Sequence, residues 1–198
     1  DEDELVQIGV TPVLYYDPVG RLIKTEMPDG TFSKVEFDPW HTKTFDANDT
    51  VLMSTTDKDG TIREHTKWYL DRINGDMGDE EKDAAEKSEA HYNTPAIVHL
   101  DSLGRNICSI AHNKFIESTT GTEKEEYYPS LVTFEIEGNE RKLKDARKNP
   151  VMEYKYDLLG NLAYQKSMDA GERWMFNDCM QKPVQKWDGR NNVFTFHY

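Results

Sequence analysis

A four-residue turn signal, Asp-x-x-Gly, recurs along this chain and constrains its fold more than any other feature. In Asp17-Pro18-Val19-Gly20 the Asp can bond its own backbone, the Pro presets φ, and the Gly accepts the left-handed conformation that closes a type I turn into a hairpin. Met27-Pro28-Asp29-Gly30 places Pro and Gly alike. Between and after them, Arg21 to Glu26 and Thr31 to Phe37 are strand-length runs holding Leu22, Ile23, Phe32, Val35 and Phe37, which suit a half-buried pleated surface. The signal returns at Phe37-Asp38, at Asp57-Lys58-Asp59-Gly60 and, after a pause, at Asp101-Ser102-Leu103-Gly104. A degenerate copy at Glu135-Ile136-Glu137-Gly138 precedes Tyr156-Asp157-Leu158-Leu159-Gly160 and Asp178. Further turns at Asp145-Ala146-Arg147, Met168-Asp169-Ala170-Gly171 and Asp188-Gly189-Arg190 fall between, so the chain reverses about every ten residues, as an all-β meander does.

The alternation supports the same reading. Met152, Tyr154 and Tyr156 share one face of a strand and Val151, Glu153 and Lys155 the other; Trp174 with Phe176, and Phe194 with Phe196 and Tyr198, repeat the period of two. From Lys67 the alternation lapses. Asp79 as N-cap, Glu80 and Glu81 at the positive end of the dipole, and Ala84, Ala85 and Ala90 predict a helix that Pro95 ends. Its weak apolar stripe predicts a helix outside the sheet or over an opening, anchored by Trp68, Tyr69, Leu70 and Ile73. Residues 114–129, rich in Thr, Glu and Gly, read as a solvated loop. Residues 1–14 begin acidic and become apolar at Leu5, Val6, Ile8, Val10, Val13 and Leu14, which predicts a strand behind a fraying tip.

Three stretches, YYDPVGRL, HLDSLGRN and YDLLGNLA, share an Asp-x-x-Gly-Arg/Asn pattern that resembles the YD repeat of the RHS family. WYLDRINGDMGDEEKDAAEKSEAH, NTPAIVHLDSLGR and SMDAGERWMFND extend the likeness. They resemble the middle to C-terminal region of the B subunit of bacterial insecticidal Tc toxin complexes. In that family the repeats coil into a hollow β-shell that encloses a toxic C-terminal segment before delivery. The resemblance therefore implies an all-β fold: an antiparallel YD-repeat sheet forming part of a shell, with one helical insertion near residues 67–94. Repeats would occupy 1–66 and 96–198, the insertion 67–95, and the polar loop 114–129. Both chain ends read as cuts in a longer shell.

Under this reading Tyr16, Asp17, Gly20, Asp29, Gly30, Asp57, Gly60, Asp101, Gly104, Tyr156, Asp157, Gly160 and Gly171 set turns and do no chemistry. The implied partners are flanking repeats of the same shell, the enclosed toxin polypeptide and other toxin-complex subunits, and the implied location is secreted or extracellular. A related alternative, from the animal teneurins that carry similar repeats, is a binding module whose Trp68, Trp174 and Trp187 contact carbohydrate or protein. In RHS shells an aspartyl autoprotease with a D-P-x-G motif releases the cargo. That motif belongs to a different segment, and Asp17-Pro18-Val19-Gly20 reads as an ordinary turn.

Composition narrows the alternatives. A net charge of -13 with no Lys/Arg cluster argues against binding to nucleic acid or an anionic membrane, and no direct membrane insertion is expected; the acidity reads first as a solubility feature, with an acidic wall facing a basic polypeptide as the functional alternative. No signal peptide or membrane-length apolar run is present. Cys108 and Cys179 sit in strand-like surroundings and read as free thiols. His41, His65, His91, His99, His112 and His197 lack ligand spacing, no G-x-S-x-G elbow or phosphate-binding glycine loop occurs, and Asp57 to Gly60 lacks the remaining ligands of a calcium loop. The expectation is no enzyme, no cofactor and no metal.

Overall fold

The computed structural model describes residues 11–56, 60–117 and 119–198. The strand expected over Leu5 to Val10, and Asp57, lie outside these residues. Thirteen strands hydrogen-bond in the order β1 (Val13–Tyr16), β2 (Leu22–Glu26), β3 (Phe32–Phe37), β4 (His41–Phe45), β7 (Ala96–Leu100), β8 (Asn106–Ile116), β9 (Glu123–Phe134), β10 (Glu140–Lys144), β11 (Pro150–Tyr156), β12 (Leu162–Ser167), β13 (Gly171–Asn177), β14 (Pro183–Asp188) and β15 (Val193–Thr195). The pairings from β1 through β4 to β7, and from β9 through to β15, are antiparallel. Order in the sheet follows order in the chain, with one insertion between β4 and β7 holding the two-stranded β5 (Thr55–Thr56) and β6 (Ile62–Arg63), then α1 (Lys67–Ile73) and α2 (Asp79–Glu89). The chain forms two units, one reaching Gly104 and including Ile110–Tyr127, the other comprising Arg105–Ser109 and Tyr128–Tyr198.

The first unit holds every fully buried described residue. Phe32 and Phe45 are buried on β3 and β4, and Val51, Tyr69 and Ala85 form a core joined by half-buried Leu52, Trp68, Leu70, Ile73 and Tyr92. The helical insertion thus supplies the core instead of lying over a finished sheet. Thr66 links its start to the rest. The Thr66 hydroxyl donates to Val51 O at 2.8 Å and accepts the Tyr69 N–H as the α1 cap. Arg72 lies 4.5 Å from the centre of the Trp68 ring and pairs with Glu81 at 2.6 Å, tying α1 to α2. Asp79, expected as the N-cap of α2, is its first helical residue; the cap is Gly78 at φ 103°, without a side-chain bond, so Asp79, Glu80 and Glu81 act through the dipole alone.

Residues 114–129 are largely strand, which corrects the loop expected there. β8 runs to Ile116 and β9 begins at Glu123, leaving only a short turn between them. Thr119, Thr120 and Thr122 occupy that turn, whereas Glu123, Glu125 and Glu126 lie on a wetted strand: β9 is exposed at every position before Pro129. Lys114 pairs with Glu123 at 2.8 Å across the hairpin, and Lys124 with Glu117 near its tip.

In the second unit no described residue is fully buried. Its strands from β10 to β15 pair only with their neighbours in the chain. One face carries the in-register row Lys142, Glu153, Lys166, Glu172, alternating in sign across four strands, with ion pairs of 2.6 Å (Lys142 to Glu153) and 3.4 Å (Lys166 to Glu172). The Lys142 ammonium bonded to Glu153 holds its carboxyl below the usual range. Beside it on the same face runs a row of Lys155, Tyr164, Trp174, Trp187 and Val193. Such cross-strand pairs, worth roughly 0.2–1 kcal/mol each, stabilise a sheet that has no second layer among the described residues.

Candidate functional site

The hairpin turns are where the sequence is most exacting, and they share one geometry. At Asp17, Met27, Glu135, Asp145, Asp157, Asp178 and Asp188 the first residue's N–H donates to the carbonyl four residues on, and the fourth residue's N–H donates back to the first residue's carbonyl, all at 2.9–3.2 Å. This is a type I turn closed by a bulge, and the fourth position needs positive φ. Gly20 (85°), Gly30 (84°), Gly138 (93°) and Gly160 (80°) fill it in four turns, but Lys148 (67°), Gln181 (63°) and Asn191 (63°) fill it in the others. Register shifts at Tyr16, Lys144, Tyr156 and Asn177 mark the bulges, so Tyr16 pairs with Leu22 and Tyr156 with Leu162.

The Asp at the first position organises the loop. Asp17 Oδ1 accepts the Val19 and Arg21 N–H groups at 3.0 and 2.9 Å, and Asp157, Asp178 and Asp188 repeat this at the second and fourth residues on. The other oxygen takes a side chain from the fourth residue on: Arg21 Nε at 2.7 Å from Asp17, Asn149 Nδ2 at 3.1 Å from Asp145, Asn161 at 3.0 Å from Asp157 and Asn192 at 2.8 Å from Asp188. The Arg21 backbone N–H lowers the Asp17 carboxyl, and the Asn161 and Asn192 side chains lower those of Asp157 and Asp188. The motif is therefore Asp-x-x-x-Asn as much as Asp-x-x-Gly, a signal present in the sequence but not read there.

The remaining turn residues take related places. Asp29 is third in its turn and accepts the Thr31 N–H at 2.9 Å. Asp101 accepts the Leu103 N–H at 2.9 Å, with Gly104 at φ 75°. Gly60 lies at 87° and Gly171, which opens β13 opposite Ser167, at 73°. Replacing Gly160 with Val is expected to cost about 1–2 kcal/mol from backbone strain alone, because a Cβ there meets nothing within 4 Å. Lys148→Gly is expected to gain about 1 kcal/mol by the reverse logic. Urea midpoints of the two variants, moving in opposite directions, check both.

The titratable groups gather in pairs. His41 faces His99 across β4 and β7 with ring centroids 4.5 Å apart, and its Nδ1 lies 3.0 Å from Asp38. His112 stacks on Tyr127 at 4.4 Å; its buried Nε2 is 3.3 Å from Glu125 but off the line a hydrogen bond requires. Among the described residues no group of three or more His, Cys, Asp or Glu is arranged to hold a metal ion. Cys108 is half-buried on β8; Cys179, expected in a strand, lies exposed in the turn between β13 and β14, and both are free thiols. Among the described residues no helix is long and apolar enough to cross a membrane.

No family model and no curated protein matches this sequence. Solved structures do. A chain of the TcdB2-TccC3-Cdc42 crystal structure superposes with a TM-score of 0.72 at 23% identity, covering 94% of this chain and 8% of that one. The fold is that of a Tc toxin segment. The Photorhabdus luminescens Tc holotoxin pore (TM-score 0.69, 22% identity) and TcdB2-TccC3 (0.70, 22%) match over the same shares of both chains. This chain therefore spans about a twelfth of the length of its structural neighbours, 8% in each case.

Proposed function

We propose that this chain is a non-catalytic strip of the wall of an RHS-type β-shell, which encloses a toxic polypeptide in a Tc-type insecticidal complex acting outside the producing cell. The observation that carries the reading is the second unit's single layer: its strands run from neighbour to neighbour, half-covered on both faces, as a wall between two compartments requires. The likeness in fold to Tc toxin chains supports it. Containment works through the backbone. Lateral hydrogen bonds satisfy each inner strand, and the turns bring consecutive strands side by side without an interior. The partners are then flanking repeats, the enclosed polypeptide and the other subunits of the complex.

Light-scattering chromatography with small-angle scattering tests this on the isolated chain. An elongated or self-associating β-rich species is expected, because the outer edges of β1 and β15 have no partner strand among the described residues and open edges seek partners; a compact monomer would count against the wall. A second reading, a teneurin-like binding module, draws on the row of Tyr164, Trp174 and Trp187, in which the Tyr164 and Trp174 centroids are 5.6 Å apart. Trp68 does not share that row, since Arg72 covers its ring and it packs against the first unit's core. Glycan-array binding lost in Trp174→Ala would favour this module.

A further inference from the structure

We infer that the first unit carries a docking groove for a polypeptide segment that sets Lys or Arg beside an apolar side chain. The groove, of about 310 Å³, lies between the C-terminal half of α2 and the β8–β9 hairpin. Leu52, Tyr92, Phe115 and Ile116 give it apolar lining, and Ile116 is 64% exposed at its mouth. Glu86, Glu89, Glu123 and Lys114 supply the charge.

That charge is unbalanced. Glu123 and Lys114 pair with each other at 2.8 Å, leaving Glu86 and Glu89. Glu89 accepts the Tyr69 hydroxyl at 2.5 Å, a neutral donor that leaves its charge in place. Glu86 has a long 3.9 Å ion pair with Lys82. Both carboxylates stand toward the C-terminal end of α2, where the helix dipole is itself negative and favours cations. The one basic residue in that last turn, Lys87, is committed to Asp83. The Tyr69 phenol registers the field: burial, Glu89 and then Glu86 push it up to about 12. A Lys or Arg side chain laid along the rim would answer the two carboxylates, while a neighbouring apolar side chain covers Ile116 and Phe115. The inference goes beyond the wall reading and does not depend on it.

The probe is a fluorescein-labelled peptide of alternating Lys and Leu, titrated by anisotropy against the 198-residue chain, with Lys-Gly and Glu-Leu peptides alongside. Saturable binding of the Lys-Leu peptide is expected, weakened about ten-fold by Glu86→Lys and by Ile116→Ser. Glu137→Lys changes the net charge equally on an exposed turn of the second unit and should leave binding unchanged. Equal losses in Glu86→Lys and Glu137→Lys, equal binding of the Lys-Gly peptide, or no saturable binding would overturn the groove. Far-UV circular dichroism of each variant verifies that it folds.

Discussion

Asp49→Ala should destabilise the first unit by about 2–5 kcal/mol, because removing one acceptor strands several donors at once. The side chain is 6% exposed. Its Oδ2 accepts the Asp46 N–H at 2.8 Å, and its Oδ1 accepts both the N–H and the hydroxyl of Thr94 at 3.0 and 2.7 Å. The backbone adds Asn93 N–H to Asp49 O at 3.0 Å. Asp49 therefore fastens the end of β4 to the return from α2, and alanine keeps only the backbone link. Asp49→Asn retains one carbonyl oxygen and should lose clearly less. Amide hydrogen exchange resolves the effect by unit: protection should fall around residues 46–50 and 91–94 and persist in β11 to β14.

Phe45→Ala should cost about 3–5 kcal/mol, the range for a large aromatic removed from a packed site. Phe45 is 4% exposed, and the Lys34 ammonium lies 4.4 Å from its ring centre. The variant leaves a cavity and uncovers the Lys34 stem, although Lys34 keeps its 2.7 Å pair with Glu36. Phe176→Ala is the comparison. It removes the same side chain from a site 59% exposed in the second unit and should cost less than about 1 kcal/mol. Urea midpoints that fell equally for both would show that the first unit's interior is not its source of stability.

Local signals were legible in the sequence and distant ones were not. The alternation of Met152, Tyr154 and Tyr156, and the Gly at positions 20, 104 and 160, are written within a few residues of where they act. Trp68, Tyr69, Leu70 and Ile73 were legible as an anchor, but the sequence could not say that they meet Val51 and Ala85, because that contact depends on the insertion folding back. Asp49 and Thr94 are 45 residues apart and neither carries a motif. The turns at Asp145, Asp178 and Asp188 were legible from their first residue, but Lys148, Gln181 and Asn191 were not legible as their left-handed positions, because that role falls there on residues that keep a Cβ; the Asn at 149 and 192, bonded to Asp145 and Asp188, fixes where two of those loops close. The hairpin of β8 and β9 was missed for a related reason: its exposed face has a loop's composition, and strand identity there comes from the partner strand.

In the second unit, where each strand from β10 onward leans only on the strands before and after it in the chain, folding has the character of a zipper. Any one hairpin can close first, since its turn is local and its ends are already near each other, and each later strand adds to a finished edge at little loop-closure cost. The same arrangement makes the hairpin a unit of evolutionary change. Adding or deleting one lengthens or shortens the strip, and the only junction to be remade is the one where the new strand meets its neighbour.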